Sequence, residues 1–141
     1  MLNKPVRYLH LTPGDALPAV DELRPFKAVI AVEADVPQIW QWDASRWLAS
    51  SGCLYMMAWG KGCGSWQESV DEAHLEAFNY DEVPADQSII TTSHEEEDLS
   101  DTFWFAKHKA RHHGHDLRNV LILHISDSEK QKELEEAYAN A

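Results

Sequence analysis

Phe26-Lys27-Ala28-Val29-Ile30-Ala31-Val32 is the stretch whose reading decides the fold. Apart from Lys27 it is continuously apolar, the pattern of a strand covered on both faces rather than one alternating between core and water. A helix signal follows at once. Asp35 suits an N-cap, and Pro37 falls in the first turn, where its missing N–H costs little. Trp40, Ala44, Trp47 and Leu48 then recur at helical spacing, and Gly52 is a stop.

The same strand-then-helix unit repeats outward from this point. Toward the amino end, residues 6–11 read as a first strand closed by Thr12-Pro13-Gly14, with a short helix expected over 17–23 before Pro25. Toward the carboxyl end, residues 54–59 (LYMMAW) read as a third strand running into the glycine-rich loop Gly60-Lys61-Gly62-Cys63-Gly64. Ser65 and Glu68 have the spacing of a capping box and open a helix whose apolar stripe is Trp66, Val70, Ala73 and Ala77. Residues 88–92 (SIITT) are a fourth strand. Ser93 and Glu96 repeat the capping spacing before a helix carrying Leu99, Phe103, Ala106 and Ala110, ended by Gly114. Residues 120–125 (VLILHI) are a fifth strand, and Ser126 with Glu129 begins a terminal helix.

Five strands alternating with helices predict one α/β domain over 1–141. It is a five-stranded, mostly parallel sheet with helices on both faces, a flavodoxin-like or Rossmann-like three-layer sandwich. Right-handed crossovers put the helices on both faces, and analogy with other five-strand doubly wound domains makes the expected strand order 2-1-3-4-5.

Charge narrows the partners. The formal net charge is −12, and between Glu33 and Asp101 stand fifteen acids against only Arg46 and Lys61. After Asp101 there are six of each sign. Such a surface repels phosphate backbones, which argues against nucleic acid, and it attracts a basic protein. The plainer reading is that the charge serves solubility. No apolar run approaches the ~18 residues of a membrane span. Residues 1–7 lack the layout of a signal peptide, so a cytoplasmic location is expected. Cys53 and Cys63 make neither a disulfide framework nor a zinc set, and in a reducing compartment both are free thiols.

In open α/β sheets ligands bind beyond the carboxyl ends of the strands. That edge receives His10 and Thr12 from the first strand, and Glu33 and Asp35 from the second. The third delivers Trp59, Lys61 and Cys63, the fourth Thr92, Ser93 and His94, and the fifth His124, Ser126 and Asp127. Cys63, just before a helix start and near Lys61, has the setting that stabilises a thiolate, and His94 or His124 can serve as its base. The competing reading makes Cys63 an apolar filler and His124 a satisfied core histidine. The loop Gly60, Lys61, Gly62, Gly64 and Ser65, flanked by Trp59 and by Thr92 and Ser93, can cradle an anionic small ligand. Its glycine spacing is neither the dinucleotide fingerprint nor a Walker loop, so no cofactor is called for.

Two other features invite chemistry. His108 and His112 stand four apart in a run that includes His113 and His115, but no acid or cysteine completes a tetrahedral set, so a solvated helix end is the better reading and no metal is assigned. Glu95, Glu96 and Glu97 suit a helix N-terminus without a ligand. Trp42 and Trp104 fall off the apolar stripes of their helices and mark a partner surface if exposed.

Met57-Ala58-Trp59-Gly60-x-x-Cys63-x-x-Trp66-x-x-Ser69-Val70-Asp71, together with Thr91-Thr92-x-His94-x-x-Glu97-x-Leu99 and Leu123-His124-Ile125, resembles a family of small bacterial proteins of uncharacterised role. The resemblance covers the last two thirds of the chain. It implies a bacterial, cytosolic protein and brings no activity, cofactor or catalytic residue with it. Two functions follow from the residues: a non-catalytic domain binding a basic protein or an anionic small ligand, and a small-molecule enzyme built on Cys63 and His94.

Overall fold

The structure is a computed structural model that describes residues 5–141. Its strands are β1 (Val6–Leu11), β2 (Phe26–Val32), β3 (Cys53–Gly60), β4 (Ile90–His94) and β5 (Asn119–Ile125). The helices are α1 (Gln38–Ser50), α2 (Cys63–Ala77), α3 (Leu99–His108) and α4 (Gln131–Ala139). Every strand pairing is parallel, as the predicted α/β sandwich requires.

The sheet order is β1-β5-β2-β3-β4, not the expected 2-1-3-4-5. Burial explains the difference. Six of the seven β5 residues are buried, whereas β1 is mostly half-buried. Burying a Leu or Ile side chain is worth about 1.5–3 kcal/mol. Leu121, Ile122, Leu123 and Ile125 therefore drive β5 to an interior position, and β1 takes the edge.

Period-two alternation sorts the side chains into two layers. Ala28, Ile30, Met56, Ala58, Leu121 and Leu123 face α1 and α2, where Trp40, Leu48, Trp66 and Val70 complete the core. Val29, Tyr55, Met57, Val120 and Ile122 face the other way, against Phe103 and Ala106 of α3 and Leu134 and Tyr138 of α4. Lys27 belongs to this second side. Its buried ammonium donates to the carbonyls of Ala106 and Ala110 and so satisfies the carboxyl end of α3.

Several local expectations are corrected. Residues 17–23 hold only a 3-10 turn, Asp21–Leu23, because Pro18 interrupts the segment. Carbonyls in and just before that segment are used instead by the Trp47 and Trp40 indoles, which donate to Pro18 and Asp15 respectively. Helix α1 starts behind Pro37 rather than at Asp35. Neither capping box forms: α2 already begins at Cys63, and Ser93 lies inside β4. Glu96 takes a left-handed turn (φ 60°) and α3 opens only at Leu99, behind Asp98. Helix α3 stops at His108, well before Gly114, and α4 starts at Gln131. Among the described residues no helix is long and apolar enough to cross a membrane.

Candidate functional site

The carboxyl ends of the strands form a closely bonded edge. Main-chain hydrogen bonds continue across it beyond the strands, from Ser126 to Leu11, Glu33 to Ile125 and Lys61 to Val32. Gly60 shows how close this packing is: it has φ 95°, and a Cβ there would lie 2.1 Å from the Val32 carbonyl oxygen.

Around β1, β5 and β2 the side chains form one network. Tyr8, His10, Glu33 and His124 point to the α3/α4 side by parity, and His124 is fully buried. Its Nε2 lies 2.6 Å from Glu33 Oε1 and its Nδ1 2.5 Å from the Tyr8 hydroxyl. A carboxylate only accepts, so Nε2 carries a proton toward Glu33. The Tyr8 oxygen accepts from the Lys130 N–H at 2.9 Å, leaving its own proton for Nδ1. Lys130 Nζ stands 3.5 Å from Glu33, and His10 Nε2 donates to the Ser126 carbonyl at 2.9 Å. Burial pulls the Glu33 carboxyl up, but hydrogen bonds and charge from His124 and Lys130 outweigh it and hold Glu33 below the usual carboxylate range. Burial raises the Tyr8 phenol, helped by Glu129 and Glu33 and opposed by the Lys130 N–H, so it is a proton donor rather than a phenolate.

The β3/β4 end holds the other predicted residues. Trp59 and His94 are register partners. The Trp59 indole donates to the Glu97 carbonyl at 2.6 Å. His94 is held between the Thr92 hydroxyl (2.8 Å, Nε2) and Glu97 Oε2 (3.1 Å, Nδ1), with its ring edge-on to Phe105 in the α3/α4 layer. Cys63 is buried on the opposite side of the sheet, in the α1/α2 layer with Trp66. No hydrogen bond joins Cys63 to His94 or His124 among the described residues. Gly62 caps α2 in a left-handed conformation. Ser65 lies inside α2 and hydrogen-bonds Gln41, and Lys61 reaches out 3.9 Å to Asp35. The carboxylate of Glu95 sits 3.0 Å from where a Gly64 Cβ would stand, so the protein's own anion faces the predicted cradle.

The amino ends of the strands are different. A cleft of about 530 Å³ opens there, between the starts of β2, β3 and β4 and the end of α2. Leu54, Phe78 and Ile89 give it apolar walls, and Arg24, His74 and His115 enter it as polar groups. The Arg24 guanidinium has no hydrogen-bond or ion-pair partner among the described residues. His74 Nε2 accepts from the Ile89 N–H at 3.2 Å, and burial lowers its basicity, with a smaller opposing pull from Asp71.

Of the histidine run, His115 lines this cleft. His112, His113 and His115 each donate Nε2–H to a backbone carbonyl, of Ser88 (2.7 Å), Ala85 (2.6 Å) and Asp86 (3.0 Å) respectively. His112 Nδ1 accepts from the Gly114 N–H, and the His112 and His113 rings stack. The run is a clasp between two loops. No group of three His, Cys, Asp or Glu residues able to hold a metal occurs among the described residues. On the outer surface Trp42 and Trp104 are 44% and 47% exposed, on α1 and α3 respectively.

These features define a three-layer α/β domain with a bonded network of titratable side chains at its carboxyl edge and a cleft at its amino edge. A family model, the domain of unknown function DUF7684, matches residues 6–141, and the chain belongs to that family. No curated protein and no solved structure matches it.

Proposed function

We propose that the domain is a non-catalytic binding protein that takes a small molecule in the amino-edge cleft. One observation carries the reading: a cleft of about 530 Å³ with mainly apolar walls and a few convergent polar groups. That is the size and chemistry of sites that enclose small ligands. The titratable residues at the carboxyl edge support binding over catalysis, because both ring nitrogens of His94 and of His124 already have partners. The test is a fluorescence titration with an uncharged naphthalene probe against the intact protein and Ala77→Trp, which fills the cleft from α2. Saturable one-to-one binding that Ala77→Trp abolishes is expected. Binding that ignores the substitution, or none, overturns the assignment.

A second reading rests on Trp42. It lies beside a groove of about 220 Å³ between α1 and α2, lined by Glu72, Glu76 and Arg46, which pairs with Glu76 at 3.0 Å, and Ile39 is exposed one turn earlier. A basic peptide fits its chemistry. A lysine-rich peptide that binds Ala77→Trp as well as the natural chain, and is lost in Trp42→Ala, would move the function to this face.

A further inference from the structure

The loop that walls the cleft also walls a second cavity. This one, of about 400 Å³, is lined by Lys27, Lys107, Arg111, His112, His115 and Asp116, and it shares His115 with the cleft. Its charge is opposite to that of the chain as a whole. Three cations line it against one carboxylate, and that carboxylate, Asp116, is engaged by Arg118 at 2.8 Å. In a protein of net charge −12 this is a local concentration of positive charge, a place where an anion meets cations rather than the prevailing acids.

The donors are not equally free. Lys107 spends its ammonium on the carbonyls of Tyr138, Ala139 and Ala141. Lys27 gives two of its three N–H groups to Ala106 and Ala110 and keeps one. Arg111 is exposed and has no hydrogen-bond or ion-pair partner among the described residues. Burial, with repulsion from Arg111 and against a pull from Asp116, holds the Lys27 ammonium below its usual basicity, and both side chains line the same cavity. His112, both nitrogens committed, fixes the loop between them.

We infer that this pocket takes the oxyanion head of an amphiphilic small molecule, with the Arg111 guanidinium as its principal donor, the remaining Lys27 N–H beside it, and the apolar body lying past His115 in the cleft. The apolar half of this assignment rests on the proposed function, and the anionic half stands separately. An oxyanion suits Arg111 because a guanidinium presents two parallel N–H groups to two oxygens.

The experiment is calorimetric titration of the full chain with n-hexyl phosphate, n-hexanol and inorganic phosphate, repeated on Arg111→Gln and, as a charge-matched control, Lys109→Gln. Hexyl phosphate is expected to bind at least tenfold more tightly than hexanol. Arg111→Gln should remove that advantage and leave hexanol unchanged, and Lys109→Gln should alter neither. Equal affinities for the two amphiphiles would overturn the oxyanion pocket and leave the cleft standing. Inorganic phosphate binding that needs Arg111, with no binding of hexanol, would uphold the pocket and remove the cleft. Should none of the three bind, both assignments fall.

Discussion

The two edges of this sheet divide the features that a single functional site usually combines. At the carboxyl edge the titratable side chains are bonded to one another: Tyr8 to His124, His124 to Glu33, His94 to Glu97. The amino edge has the space, together with Arg24 and Arg111, whose guanidinium groups have no partner among the described residues. In open α/β proteins the carboxyl crevice forms where chain connections diverge to opposite faces. Here the divergence exists, since β5 leads to α4 on one face and β2 to α1 on the other. At that switch the side chains of Tyr8, His124 and Glu33 are bonded to one another.

The largest effect that would test this division is expected at His124. Replacing this fully buried ring in His124→Ala removes packing and strips Glu33 and Tyr8 of a partner. A loss of about 3 kcal/mol in urea unfolding is expected. Unchanged stability would mean that the carboxyl network does not help to hold the fold together. A smaller loss is expected from Gly60→Ala, about 2 kcal/mol, because its φ of 95° is unfavourable for alanine and the new Cβ meets Val32 O at 2.1 Å. Gly62→Ala has the same handedness problem but open space around it, and should cost about 1 kcal/mol. Equal costs would show that the close approach at Gly60 is relieved by a small shift.

The smallest effect separates the edges by pH. His74, at the amino edge, is less basic in the fold than its ordinary value of 6.5. As pH falls below about 6.5 the unfolded chain takes up that proton first, so stability declines from there toward the folded value. Glu33, at the carboxyl edge, lies below its ordinary 4.5. Its unfolded form is protonated first as pH falls under about 4.5, and its contribution disappears as pH drops through the folded value. Both edges weaken in acid, in different windows. Urea midpoints between pH 3 and 8 should show the upper decline reduced in His74→Gln and the lower one in Glu33→Gln. If either variant flattens both windows, the edges are coupled.

Much of the fold was legible because continuous apolar runs report burial on both faces, and FKAVIAV is such a run. VLILHI carried the same signal, and weighing it would have placed β5 in the interior without analogy to other domains. The capping boxes misled because S-x-x-E describes only a spacing. Ser93 was taken by strand pairing and Glu96 by a left-handed turn.

The reading of His124 as a core histidine agrees with its burial, and parity could have linked it to Tyr8 and His10 once β1 and β5 were known to pair. The cleft had no such signal. Arg24, Gly52, Phe78 and Ile89 are ordinary residues, far apart in sequence, that meet only because β2, β3 and β4 start side by side. Absence from the helical stripes left Trp42 and Trp104 open between exposure and packing, and both are exposed.

The position of β5 also says something about how the molecule comes into being. β1 pairs only with β5, and their partners, such as His10 and His124, are separated by more than a hundred residues. Until β5 has emerged, β1 has no sheet to join, and the edge of β2 stays unpaired. Helices α1 and α2 can assemble early on β2 and β3, but the sheet closes only by threading a late strand between two earlier ones. Such long-range pairing slows folding and leaves apolar strand edges uncovered meanwhile. Synthesis of this chain therefore passes through a stage in which half of the domain is ready and β1, the first strand made, is still waiting for β5.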